Sequence, residues 1–198
     1  MHLIPNFIAQ PKRSVAAYGR RKAIAVGRLE DQKGFDMLID CWKRVAEQHP
    51  DWHLDIYGVG SLHDKLQEQI DQLCLNDYIT LCGRSNNIMD VYPEYSLHIM
   101  SSRYEGQPMT LIEAQACGLP SVVFNFKFGA ADIVQNGVNG IIVPQDDRKA
   151  FSEALCKMMS SEDMRKAYGE NALEVGKQYF KNNVFSKWIE LLEFISKA

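Results

Sequence analysis

The sequence has no excess of positive charge: 22 Lys+Arg stand against 25 Asp+Glu, a formal net charge of −3 over 198 residues. That excludes the broad basic field with which nucleic-acid binders neutralise phosphates. No apolar run approaches the roughly 20 residues needed to cross a bilayer. Met1-His2-Leu3-Ile4-Pro5-Asn6 has neither a basic n-region nor an h-region, so it does not read as a signal peptide. The cysteines, Cys41, Cys74, Cys82, Cys117 and Cys156, are odd in number, widely spaced and without a CxxC. A disulfide framework or a zinc site is therefore not expected; small buried hydrophobes in a reducing cytosol are. GxGxxG, GxxxxGK[ST], GxSxG and HExxH are all absent. So is any Asp-x-Asp, which argues against a carboxylate-bound metal holding a diphosphate.

What is present is ordinary globular composition, 46% hydrophobic and 24% charged, with no repeat. Short apolar runs alternate with longer amphipathic ones. Strands are expected at 23–26, 53–57, 79–82, 97–100, 121–124 and 141–143. Helices are expected at 35–47, 62–75, 88–95, 109–117 and 130–135, then at 149–159, 162–179 and 184–196. Nearly all-apolar strands separated by helices predict an α/β fold, a doubly wound parallel Rossmann-like sheet with a helical C-terminal segment. Residues 1–20 read as an edge strand and a linker, 21–180 as the domain, and 181–198 as a terminal helix.

Such sheets bind ligands beyond the carboxyl ends of their strands. After the first strand, Gly27 and Gly34 flank Arg28 and Lys33, a guanidinium and an ammonium suited to phosphate oxygens. After the fourth comes Ser102-Arg103-Tyr104-Glu105-Gly106-Gln107-Pro108-Met109-Thr110-Leu111-Ile112-Glu113. Pro108 suits a helix start, which leaves the amides of Gln107, Met109 and Thr110 as free donors at a positive helix end. Carboxylates suit diols: Glu113 a ribose and Glu105 a sugar, with a diphosphate between them. Gly58, Gly83 with Arg84, and the turn from Phe128 to Asp132 lie at other strand ends. As far as the residues alone go, the first two segments can also be read as a solvated loop and a helix cap, and the glycine turns at the other strand ends as plain tight turns.

Over residues 20–180 the sequence resembles the C-terminal domain of group 1 glycosyltransferases, glycosyltransferase family 4, which have the GT-B fold. Gly27-Arg28-Leu29…Lys33-Gly34-Phe35 resembles that family's GRL…KGF segment, and Tyr57-Gly58-Val59-Gly60-Ser61-Leu62 its GxGPL turn. Glu105, Glu113 and Ala116-Cys117-Gly118-Leu119-Pro120 resemble its signature of two glutamates separated by seven residues, then ACGxP. Asn136-Gly137-Val138-Asn139-Gly140 resembles its DGxNG turn.

The resemblance implies the donor-binding half of a retaining hexosyl- or N-acetylhexosaminyltransferase that uses a nucleotide diphosphate sugar, UDP first, and no cofactor or metal. Arg28 and Lys33 would hold the diphosphate beside Gly27, Glu113 the ribose, Glu105 the sugar, and the amides of Gln107 to Leu111 sugar and phosphates. Gly83 and Arg84 would lie by the base. The acceptor, a saccharide or lipid-linked saccharide, would be bound by a missing N-terminal domain, onto which the terminal helix crosses back. The partners implied are a nucleotide sugar and that acceptor, not nucleic acid. The setting implied is the cytoplasm, with peripheral association at the inner membrane face. The alternatives are a nucleotide-sugar-binding module without activity of its own and a sugar-nucleotide epimerase of the same fold. The sequence departs from the family at Val59, Ser61, Cys82 and Gln107, so sugar and base specificity do not carry over.

Overall fold

The computed structural model describes residues 4–14, 16–127 and 129–196. Six strands form one parallel sheet in the order β3-β2-β1-β4-β5-β6. They are β1 (Lys22–Val26), β2 (His53–Tyr57), β3 (Ile79–Gly83), β4 (Leu97–Met100), β5 (Ser121–Phe124) and β6 (Gly140–Val143). The helices between them are α1 (Phe35–Gln48), α2 (His63–Gln72), α3 (Ile88–Val91), α4 (Met109–Ala116) and α5 (Ala130–Ile133). α6 (Arg148–Ser160), α7 (Glu162–Lys177) and α8 (Lys181–Ser196) follow. The doubly wound α/β expectation holds. β4 and β5 are buried along their whole length, as strands covered on both faces must be.

α1 buries Phe35, Leu38, Ile39, Trp42 and Val45 against one face of the sheet, in a core with Ala23, Leu54, Leu97 and Val122. α4 buries Leu111, Ile112 and Ala116 on the other side, with Met100 and Val123. Asp147 and Ser161 cap α6 and α7, accepting from the amides of Ala150 and Met164 at 2.9 and 3.1 Å. Asn139, in the turn before β6, is fully buried. Its amide donates to Gln115 and to the Ile133 carbonyl at 2.7 and 2.9 Å, which ties that turn to α4.

Three expectations need correction. The described part of the expected edge strand, residues 4–8, joins no sheet: Ile8 forms only an isolated bridge with Phe180. Pro5 has no amide to give to a ladder and Asn6 is polar, and here the chain lies against the end of α7 instead. The helix expected over 88–95 is a four-residue α3 followed by a 3-10 turn over Tyr92–Glu94, because Pro93 has no amide for an α-helical bond. Cys41, Cys117 and Cys156 are buried as expected, but Cys74 is exposed and Cys82 half-buried. On α8, Phe185, Trp188, Ile189, Leu192 and Ile195 are exposed, and Phe7 packs edge-on against Phe185 at 5.5 Å. No helix among the described residues is long and apolar enough to cross a membrane.

Candidate functional site

The strand order reverses between β1 and β4, so the crevice of the sheet lies where their carboxyl ends diverge. The loops after those two strands are laced together there. Gly34 takes a left-handed φ of 61°, and a Cβ on it would sit 2.3 Å from the Ser101 carbonyl. Ser101 donates its hydroxyl to the Lys33 carbonyl at 2.9 Å, and the Arg103 amide donates to the Gln32 carbonyl at 2.8 Å. The Arg103 guanidinium grips both carboxylate oxygens of Asp36 at 2.9 and 2.7 Å. Next door, the loops after β1 and β2 touch backbone to backbone. A Cβ on Gly58 would fall 1.7 Å from the Gly27 carbonyl oxygen.

Lys33 and Glu105 meet across this crevice. Lys33 Nζ lies 2.6 Å from Glu105 Oε1, with the two side chains 14% and 7% exposed. Ser102 donates to the same oxygen at 2.7 Å, and Gln32 Nε2 approaches Oε2 at 3.4 Å. Arg28 is exposed and donates to Gln32 Oε1 at 3.2 Å. Lys33 is therefore not a free cation: the carboxylate expected to meet the sugar already neutralises it.

Gly27, Arg28 and Arg84 line a groove of about 330 Å³ beyond β1, β2 and β3. Val26, Tyr57 and Ile88 give it apolar walls, and Val59 and Ser85 complete it. Gly83, with φ 69°, precedes Arg84 at the end of β3. Glu113 lies on α4 beside Tyr92, whose hydroxyl shares its proton between Glu113 Oε2 at 3.4 Å and the Thr110 carbonyl at 3.2 Å. Burial pushes the Glu113 carboxyl above its ordinary range, and the Tyr92 hydrogen bond pulls the other way.

The start of α4 differs from expectation. The Met109 amide is taken by the Gln107 carbonyl at 2.9 Å, and the Leu111 amide by that of Pro108 at 3.0 Å. Among the described residues the amides of Gln107 and Thr110 take no such turn contact. Leu111 is fully buried, and the Gln107 side chain accepts from the Asn6 amide at 3.0 Å. Gln107 and Pro108 line a separate cavity of about 230 Å³ with Gly129, Asp132 and Tyr179. Of the turn expected to open α5, Phe128 lies outside the described residues.

Sequence reasoning missed the roles of Gln32 and Tyr92 and the groove wall Ile88, and read Tyr57 only as the start of a turn. Gln32 follows Arg28 by only four residues, close enough in the chain to suggest a local contact; Tyr92 carried no local signal. Among the described residues no three His, Cys, Asp or Glu gather closely enough to hold a metal ion.

The chain is similar to known proteins in sequence and in fold. The family model described as Glycosyl transferases group 1 matches residues 7–175. The amylovoran biosynthesis glycosyltransferase AmsD of Erwinia amylovora is 34% identical over 178 residues, 90% of this chain and 50% of that protein. The UDP-N-acetylglucosamine–peptide N-acetylglucosaminyltransferase GtfA subunit of Streptococcus gordonii is 30% identical over 177 residues, 86% of this chain and 35% of that protein. The crystal structure of the pneumococcal O-GlcNAc transferase GtfA in complex with UDP and GlcNAc superposes with a TM-score of 0.85. It does so at 24% identity, over 97% of this chain and 39% of that one. The chain spans about half the length, or less, of the curated relatives it matches.

Proposed function

The chain belongs to the glycosyl transferases of group 1, and from that premise we propose that it is the donor-binding half of a retaining glycosyltransferase. The donor is a nucleotide diphosphate sugar, with UDP the nucleotide and a hexosyl or N-acetylhexosaminyl group transferred. The observation that carries the reading is the gathering of Arg28, Lys33 and Glu105 at the point where the strand order reverses, beside an apolar groove. The name of the GtfA relative supports UDP and the N-acetylhexosamine. The paired glutamates, by their resemblance to the family's signature, support retention.

On this reading the groove between Tyr57, Val59 and Arg84 takes the base, and Glu113 accepts hydrogen bonds from the ribose diol. Arg28 and Lys33 face the diphosphate, and Glu105 faces the sugar. Transfer breaks the bond from the anomeric carbon to the phosphate oxygen and forms one to an acceptor hydroxyl, whose proton is lost. The charge that develops on the leaving diphosphate is met by fixed cations and by the amides of Gln107 and Thr110, an electrostatic form of catalysis. A saccharide or lipid-linked acceptor would be held by a second domain outside this chain, so that the chain alone binds donor without turnover. α8 would carry its apolar face toward that domain.

Arg28→Ala tests the phosphate assignment. Calorimetry should show at least about tenfold weaker UDP binding, the loss of one charge-assisted contact, with uridine binding unchanged. Equal losses for both ligands would contradict it.

A further inference from the structure

The groove that holds Arg28 and the pair that holds Glu105 are joined by one side chain. Gln32 sits in the 3-10 turn Asp31–Lys33 and is half-buried. Its Oε1 accepts from Arg28 Nη2 at 3.2 Å. Its Nε2 donates to the Tyr104 carbonyl at 3.0 Å and faces Glu105 Oε2 at 3.4 Å. The opposite amide orientation would set an N–H against the guanidinium and an oxygen against a carbonyl and a carboxylate. The three neighbours thus fix which end of the amide points where.

We propose that Gln32 is a positioning residue that holds the Arg28 guanidinium and the Glu105 carboxylate at one set spacing, so that a single donor molecule is gripped at its diphosphate and its sugar together. The inference rests on the donor-site reading above. Arg28 is exposed and long, and an untethered side chain of that kind samples many rotamers. A ligand that recruits it must then supply the ordering entropy. Gln32 carries part of that ordering in the empty protein, and it does so against the loop that follows β4, across the strand-order reversal. Glutamate is not equivalent to it here. A carboxylate would still accept from Arg28, but it would oppose Glu105 and the Tyr104 carbonyl and would draw the guanidinium away from the phosphates.

The test is calorimetric titration of the 198-residue chain with UDP and uridine, comparing wild type with Gln32→Met and Gln32→Glu. Thermal unfolding checks that each variant is folded. Gln32→Met, of similar length and without polar atoms, should weaken UDP by about three- to tenfold and leave uridine unchanged. Gln32→Glu should weaken UDP further at pH 8. It should recover toward wild type, compared at the same pH, as the new carboxyl protonates toward about pH 4, because the neutral acid keeps one acceptor and one donor. A purely structural role would not produce that pH-dependent recovery. Wild-type UDP binding with Gln32→Met unchanged overturns this inference alone. Equal losses of UDP and uridine overturn it too, because the side chain would then only support the loop. Failure of the wild type to bind UDP overturns the donor-site reading, and this inference with it.

Discussion

Replacing Lys33 by methionine keeps the length of the side chain and removes its charge. Glu105, 7% exposed, then keeps only the Ser102 hydroxyl at 2.7 Å and the distant Gln32 amide at 3.4 Å. Stranding one partner of a fully buried pair costs about 3–5 kcal/mol. Here Lys33 is 14% exposed and two donors to the carboxylate remain, so we expect about 2 kcal/mol. Glu105→Gln leaves an ammonium that can swing toward water, at about 1 kcal/mol. The double variant strands no charge and should also lie near 1 kcal/mol, which makes the coupling in a double-mutant cycle about 2 kcal/mol. Urea unfolding of the four proteins measures it. The same pair sets the sign of a binding effect. A diphosphate entering the empty site must compete with Glu105 for Lys33, so Glu105→Gln should tighten UDP binding while Lys33→Met weakens it. A coupling below about 0.5 kcal/mol, the error of additivity, would refute the energetic argument. UDP binding weakened equally by both substitutions would refute the competition.

Two pH effects follow from buried acids. Tyr92→Phe removes the hydroxyl that bonds the charged form of Glu113, so the Glu113 pKa, already raised by burial, rises further. If ionised Glu113 binds the ribose diol, uridine affinity climbs with pH through that pKa, and the climb should move to higher pH in the variant. Superimposable pH profiles would remove Glu113 from the ribose site. Asp55 behaves oppositely. Burial works to raise its carboxyl, but hydrogen bonds from His53 and Tyr95 and the charge of Lys22 outweigh it and hold the pKa at about 2, against 3.8 ordinarily. Its contribution, about 2 kcal/mol, is thus present above pH 4 and lost as pH falls toward 2. Tyr95→Phe removes a 2.6 Å bond to Asp55 and should move acid unfolding, followed by circular dichroism, to higher pH. An unchanged acid midpoint would contradict the assignment.

What the sequence made legible was whatever is local or periodic. Ala23-Ile24-Ala25-Val26 is uniformly apolar, and Leu97-His98-Ile99-Met100 is apolar but for the buried His98, because both faces of a central parallel strand are covered, and that pattern needs no partner to be read. Arg28, Lys33, Glu105 and Glu113 could be singled out because they follow strands. Their pairing could not. Lys33 and Glu105 lie 72 positions apart, as do Gln32 and Tyr104, and only the packing of two loops brings them into contact. Tyr92 reaches Glu113 across 21 positions from a turn whose own sequence promised only a broken helix. The expected edge strand over residues 4–8 failed for the complementary reason. Ile4, Phe7 and Ile8 suggest a strand, but the sheet ends at β3 and β6, and Ile8 finds its backbone partners at Tyr179 and Lys181.

On the donor-site reading the crevice beyond β1 and β4 takes a nucleoside diphosphate. Calorimetric titration of the wild-type chain with UDP, GDP, ADP and uridine tests it most directly. We expect saturable binding of UDP, tighter than that of GDP or ADP and at least about tenfold tighter than that of uridine, since the diphosphate adds charge-assisted contacts to Arg28 and Lys33. Uridine binding as tightly as UDP, or no saturable binding of any nucleotide, would contradict it.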